Sequence, residues 1–212
     1  MDYNTDSARE SLTRPGAFGD ALKNDPNFKL LSPSTYDYNC IAFAMGMQDR
    51  WVDHCSEIPW HWWPPVERGS SVKHLIGAFR YFGFEECGMD DTPDDLYDKV
   101  ALYSDIDGWT HAARIVTEGI YHSKFGESYD GCHSRGDVLQ AQYGKVCLIM
   151  RRLKADAGLT DKRKGVAPGE MHTNIVVTVQ GLTNHLVAYK GKVYLGHYGC
   201  EVRYDKGKVT LV

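Results

Sequence analysis

Cys40 opens a compact apolar run, Cys40-Ile41-Ala42-Phe43-Ala44-Met45. The run reads as a short helix, stopped by Gly46 and capped by Asn39 or Asp37. A thiol in the first turn of a helix sits at the positive end of the macrodipole, beside backbone N–H groups that lack intrahelical acceptors. Both favour the thiolate, so the position is expected to lower the thiol pKa and make Cys40 nucleophilic near neutral pH. A thiolate of this kind needs an imidazole that stabilises it and later protonates the leaving group. Thr110-His111-Ala112-Ala113-Arg114 offers one, His111, on a segment of strand character. The chain returns through Tyr121-His122-Ser123-Lys124, so His122 or Ser123 is placed to hold the His111 ring. The competing reading is plain: a buried cysteine packs as a small apolar group, and a strand histidine is often only a satisfied core residue.

The elements around these residues follow from periodicity. Val72, Leu75, Ile76, Phe79 and Phe82 recur at helical spacing, with Ser70 or Ser71 to cap the helix and Gly83 to end it. Residues 109–116 read as a strand, 117–119 as a tight turn and 119–123 as the returning strand. A short helix is expected over 137–142 and a buried strand over 145–152. Residues 1–33, with four prolines and glycines before position 27 and no sustained period, read as an N-terminal arm packed over a domain spanning 34–153. The polar, Gly- and Pro-containing stretch 154–170 reads as a linker, and 171–212 as a β-meander extension. Strands in the meander are expected over 174–179, 186–189, 193–197, 201–204 and 209–212.

Composition bounds the function classes. The chain has 212 residues, 42% of them hydrophobic and 25% charged, which excludes disordered, collagen-like and fibrous classes. A chain of this length buries enough surface to fold without disulfides or a structural metal. The net charge of -4, without a Lys/Arg block, argues against a nucleic-acid partner. No stretch approaches the roughly 18 apolar residues of a membrane span. The polar N-terminus lacks the pattern of a secretory signal or transit peptide. Six scattered cysteines without a C-x-x-C pair read as reduced thiols. The expected location is therefore cytoplasmic, or outside the cell by a route without a cleaved signal peptide.

Taken in order, Y-N-C-I-A-F-A-M-G, W-x(8)-W-H-W-W-P-P, T-H-A-A-R, S-K-F-G-E, C-H and Q-Y-G-K-V resemble a little-characterised family of short, mostly bacterial proteins. That family is distantly similar to the papain-like cysteine hydrolase superfamily, including its cell-wall amidase and peptidase branches. The resemblance covers about residues 32–152. It implies an α+β fold with the cysteine on a helix N-terminus and the histidine on an antiparallel sheet. By resemblance, Cys40 maps to the nucleophile and His111 to the general base, while the third member maps to no single residue. Papain-type proteases carry a glutamine upstream of the cysteine as an oxyanion donor. Here Tyr36-Asp37-Tyr38-Asn39 stand instead, so the backbone N–H of Cys40 is paired with Tyr38 or Asn39 as the second donor.

Trp51, Trp60, Trp62 and Trp63 follow the cysteine helix and form either an aromatic wall for a substrate or anchors for an irregular loop. His54, Cys55, His61, Cys132, His133 and His172 are metal-ligand types, but their spacing matches no structural zinc site. The aspartates at 90, 91, 94, 95 and 98 lack the spacing of a calcium loop. Phosphate-binding glycine motifs and a G-x-S-x-G serine elbow are absent from the sequence. No metal and no cofactor is expected. The leading expectation is a cysteine hydrolase acting on an amide bond, as peptidase, peptidoglycan amidase or endopeptidase, or deamidase. Its substrate would be a peptide or protein, cell-wall peptide included, and an effector or toxin role fits the same chemistry. The alternatives are a non-catalytic protein- or glycan-binding module of the same fold and a zinc-dependent hydrolase.

Overall fold

The computed structural model describes residues 3–13, 18–165, 175–179, 182–196, 199–205 and 208–212. Two short helices, α1 (Asp6–Thr13) and α2 (Gly19–Lys23), lead into strand β1 (Lys29–Leu30). Helix α3 (Cys40–Met45) is followed by β2 (Trp51–Val52) and β3 (His61–Trp62), which pair with each other in parallel. Then come helix α4 (Val72–Tyr81) and strands β4 (Glu85–Glu86), β5 (Tyr97–Ser104), β6 (Trp109–Thr117), β7 (Ile120–Lys124) and β8 (Asp130–Ser134). A 3-10 turn over Gly136–Leu139 runs into α5 (Gln140–Tyr143), strand β9 (Lys145–Leu153) and helix α6 (Leu159–Arg163). Strands β10 (Val176–Val179), β11 (Leu182–Tyr189), β12 (Lys192–Leu195), β13 (Cys200–Asp205) and β14 (Lys208–Leu211) close the chain.

The main sheet has seven antiparallel strands in the order β1-β8-β7-β6-β5-β9-β4. Side chains alternate across a strand, so neighbouring residues enter different cores. Val100, Leu102, Ala112 and Met150 join α3 and α4 on one face. Ala101, Tyr103, Ala113, Ile115, Tyr121 and Ile149 join the N-terminal segment on the other. Because both faces are covered, β5 is buried continuously from Lys99 to Tyr103 rather than alternately. The five-stranded meander is a second sheet, ordered β10-β11-β12-β13-β14. Trp60, fully buried, meets Val187, Tyr189 and Tyr194 of that sheet, so the tryptophan-rich segment ties the meander to the domain.

The expected α4 helix and β6–β7 hairpin are present, with Gly83 and Gly119 both at positive φ (88° and 70°) where the chain reverses. The described part of 154–170 is docked rather than extended. Thr160 is 3% exposed, and its hydroxyl donates to the Met45 carbonyl (2.8 Å) while accepting from Arg152 Nη1 (2.7 Å). Residues 166–174 of the expected linker and meander, together with His172 and His197, lie outside the described residues. The N-terminal segment also contributes to the domain directly: β1 pairs with β8, and Leu12, Phe18, Leu22 and Phe28 fill the second-face core. Among the described residues, no helix is long and apolar enough to cross a membrane.

Candidate active site

Helix α3 owes its position to Asn39. The Asn39 backbone is extended (φ -105°, ψ -179°) and its Oδ1 accepts from the Ala42 N–H at 3.0 Å, the geometry of an N-cap. The same side chain donates to the Val52 carbonyl (2.9 Å) and accepts from the Val52 N–H (3.2 Å), pinning β2 beside the helix start. At the other end Gly46 takes a left-handed conformation, and the Met47→Ala42 and Gly46→Phe43 bonds form a Schellman closure. Cys40 is thereby fixed at the first helical position, 8% exposed, packed with Ala112 in the first-face core.

The thiol is not activated in this state. Burial pushes its pKa up to about 11, outweighing the backbone N–H groups of Ala112, Ile41 and Cys40 that favour the thiolate; the nearby Asp53 carboxylate adds to the rise. The sequence expectation of a lowered pKa is therefore corrected. A six-residue helix supplies a small macrodipole, and complete desolvation costs the charged form more than that dipole returns. Lys124, itself fully buried, lies close enough to feel the sulfur charge. Burial lowers the Lys124 pKa to about 8, while its ammonium donates to the carbonyls of Thr35 and Ser128.

His111 is fully buried in β6. Its ring stacks on Tyr143 (centroids 4.0 Å apart, planes within 4°) and meets Tyr103 edge-on. Its Nε2 lies 2.9 Å from Ser123 Oγ, which lies 2.8 Å from His133 Nε2; His133 Nδ1 is 2.6 Å from the Ser134 carbonyl. Burial holds both imidazoles below their ordinary pKa, His133 at about 4, so both are neutral. The protons can then be assigned. A carbonyl only accepts, so His133 carries its proton on Nδ1 and its Nε2 accepts from the Ser123 hydroxyl. Ser123 Oγ in turn accepts from His111 Nε2–H. His111 Nδ1 is left as an unprotonated nitrogen with no hydrogen-bond partner among the described residues, Cys40 Sγ included.

The structure thus brings Ser123 to His111 and places His122 elsewhere. His122 pairs across the ladder with Arg114, half-buried, and among the described residues makes no hydrogen bond in the His111 network, though its charge is felt by His133. Thiol and imidazole are packed among first-face and second-face side chains respectively. The Ala112 N–H lies against the sulfur, one residue along the chain from His111. Tyr143, stacked on His111, also feels the Cys40 charge. Of the expected oxyanion donors, Tyr38 gives its hydroxyl to Asp130 Oδ2 (2.5 Å), and the Asn39 amide is committed to Val52. The groups converging on the sulfur are instead the backbone N–H groups of Cys40, Ile41 and Ala112.

All four tryptophans of the segment after α3 have intramolecular partners. Trp51 stacks between Tyr36 and His61, and Trp60 meets Tyr189 and Tyr194. Trp62 lies under the Arg50 guanidinium, and Trp63 stacks on Trp109. Asp53 Oδ1 sits between His54 and His61 (3.5 and 3.6 Å to their Nδ1 atoms). Among the described residues, no three His, Cys, Asp or Glu side chains are grouped to hold a metal ion. Sequence reasoning missed His133 and Tyr143 as members of the network. The C-H pair at 132–133 and the Q-Y-G-K-V run were the available signals, but only the fold shows what they touch.

A family described as a domain of unknown function (DUF7689) matches residues 29–151, and the chain belongs to that family. No curated protein and no solved structure matches it.

Proposed function

We propose that this member of the family is a cysteine hydrolase of amide bonds, with Cys40 as nucleophile and His111 as base. The observation that carries the reading is the tautomer lock: Ser123 and His133 hold the His111 proton on Nε2 and leave Nδ1 free to take another. With a thiol pKa near 11 and a neutral imidazole, attack proceeds by general-base catalysis rather than through a resting ion pair. The thiol proton passes to His111 Nδ1 as Sγ bonds to the carbonyl carbon. The backbone N–H groups of Cys40, Ile41 and Ala112 receive the oxyanion. The imidazolium then protonates the departing amine, and water releases the acyl group from the thioester. Because Cys40 is 8% exposed and His111 is fully buried, substrate entry includes a local opening that also brings Nδ1 to the sulfur.

Peptidase, peptidoglycan amidase or endopeptidase, and deamidase share this chemistry, and the proposed substrate is a peptide or protein, cell-wall peptide included. The proposed setting is the cytoplasm, or delivery without a cleaved signal peptide, as for an effector. Hydrolysis of p-nitrophenyl acetate, an activated acyl donor, tests the reading: turnover should vanish in Cys40→Ala. Unchanged turnover would remove the proposal. The burial of both groups is the observation favouring the second reading, a non-catalytic module in which Cys40 and His111 only pack. On that reading wild-type protein and Cys40→Ala are equally inert.

A further inference from the structure

The motif residue Arg114, unused by the chemistry above, lines a cleft of about 590 Å³ on the far end of α3 from Cys40. Its guanidinium lies 4.4 Å over the Phe43 ring, and no carboxylate forms an ion pair with it among the described residues. Arg152 lines the same cleft and is 5% exposed. Its Nη1 donates to Thr160 and its Nη2 lies 3.5 Å from Asp98 Oδ2, while its Nε is buried without a hydrogen-bond partner among the described residues. The two guanidinium groups are near enough to repel each other.

Of the other charges lining the cleft, two are ion-paired, and Lys154 and Asp94 are of opposite sign. Lys99 is paired with Asp90 (2.7 Å) and Asp161 with Lys164 (3.0 Å). Lys154 donates to the Asp94 carbonyl, and Asp94 Oδ1 accepts from the Leu96 N–H. Both arginines feel the half-exposed Asp98 carboxylate; Arg114 also feels Asp130, and Arg152 also feels Asp156. Two guanidinium forks already partly balanced by carboxylates suit a monoanion with planar oxygens better than a dianionic phosphate. The lining also includes the apolar side chains of Ala44, Val100, Ile115 and Ala157. The volume falls within the range of small-molecule sites.

We infer that this cleft binds a small carboxylate ligand with an apolar body, gripped by Arg114 and Arg152. The inference stands without the hydrolase reading. Its test is calorimetric titration of the full chain with 3-phenylpropionate, its neutral amide and inorganic phosphate, at matched ionic strength. Saturable binding of the carboxylate is expected, with the amide silent and phosphate weaker. Arg114→Gln should weaken binding on the order of tenfold or more, and Arg114→Lys should fail to restore it, because a point charge cannot make the forked contact. Unchanged thermal melting of the Arg114 variants would show that the loss is not one of folding. Equal binding of the amide, tighter binding of phosphate, unchanged affinity in Arg114→Gln, or no binding of 3-phenylpropionate at millimolar concentration would each overturn the inference.

Discussion

His111 Nε2 and Ser123 Oγ are 2.9 Å apart inside the second-face core, and this contact decides which nitrogen of His111 is free to act as a base. The hydroxyl works because it donates onward to His133 while accepting from His111. Replacing Ser123 with alanine strands two buried imidazole nitrogens at once. Ser123→Ala should cost about 1–3 kcal/mol in urea unfolding. Adding His133→Phe, which removes one of the stranded groups, should cost less than the sum of the separate changes. Strict additivity would mean the three side chains do not act as a chain.

The buried histidines give stability a defined pH dependence. His133 titrates at about 4 in the folded chain against 6.5 when unfolded, and His111 moves in the same direction. As pH falls, the unfolded state takes up these protons first. The stabilisation is thus full above about pH 6.5 and is lost as pH falls towards 4, by roughly 3 kcal/mol for His133. Urea midpoints measured across that window should fall, and His133→Gln should flatten the slope. An identical slope in the variant would contradict the assignment of the loss to this ring.

Cys40 and Lys124, near enough for their charges to interact, act with opposite sign at alkaline pH. The Cys40 thiol is raised from its ordinary value of 9 to about 11, so its contribution to stability is complete below 9 and lost as pH rises to 11. Lys124 is lowered from 10.5 to about 8, so its contribution is gained over that interval. Iodoacetamide should label native Cys40 slowly near pH 7 and faster as pH approaches 11, while exposed Cys147 and Cys200 react first. Rapid labelling of Cys40 at neutral pH would show an activated thiolate that this structure does not contain.

Much of the site's scaffold was legible in the sequence because it is local. The Asn39 cap, the Gly46 stop, α4 and the β6–β7 hairpin depend on residues within a few positions of one another. The choice of Ser123 over His122 was not legible, because a bulge in the β6–β7 ladder between Ile115 and Thr117 sets the register. Nor was the thiol pKa, which burial decides against the local helix signal. The stretch after 153 read as a linker by composition, yet one buried threonine, Thr160, docks it through Met45 and Arg152. Contacts across such sequence separations leave no trace in spacing.

Trp60 joins the tryptophan segment to the meander, and no part of its side chain reaches solvent. Trp60→Ala should destabilise the protein by about 3–5 kcal/mol, the usual cost of a large buried aromatic. A near-neutral effect, read by thermal melting, would mean that the meander does not rest on this segment.

The central claim is that Cys40 is a nucleophile whose proton goes to His111. Its most direct measurement is the rate of single-turnover acylation by p-nitrophenyl acetate, with the acetyl group located by peptide mass spectrometry, in wild-type protein and His111→Gln. The account predicts acetyl-Cys40 in the wild type, formed on the order of a hundredfold more slowly in His111→Gln. No acetyl-Cys40 in the wild type, or acylation of Cys40 at the same rate in both proteins, would contradict it.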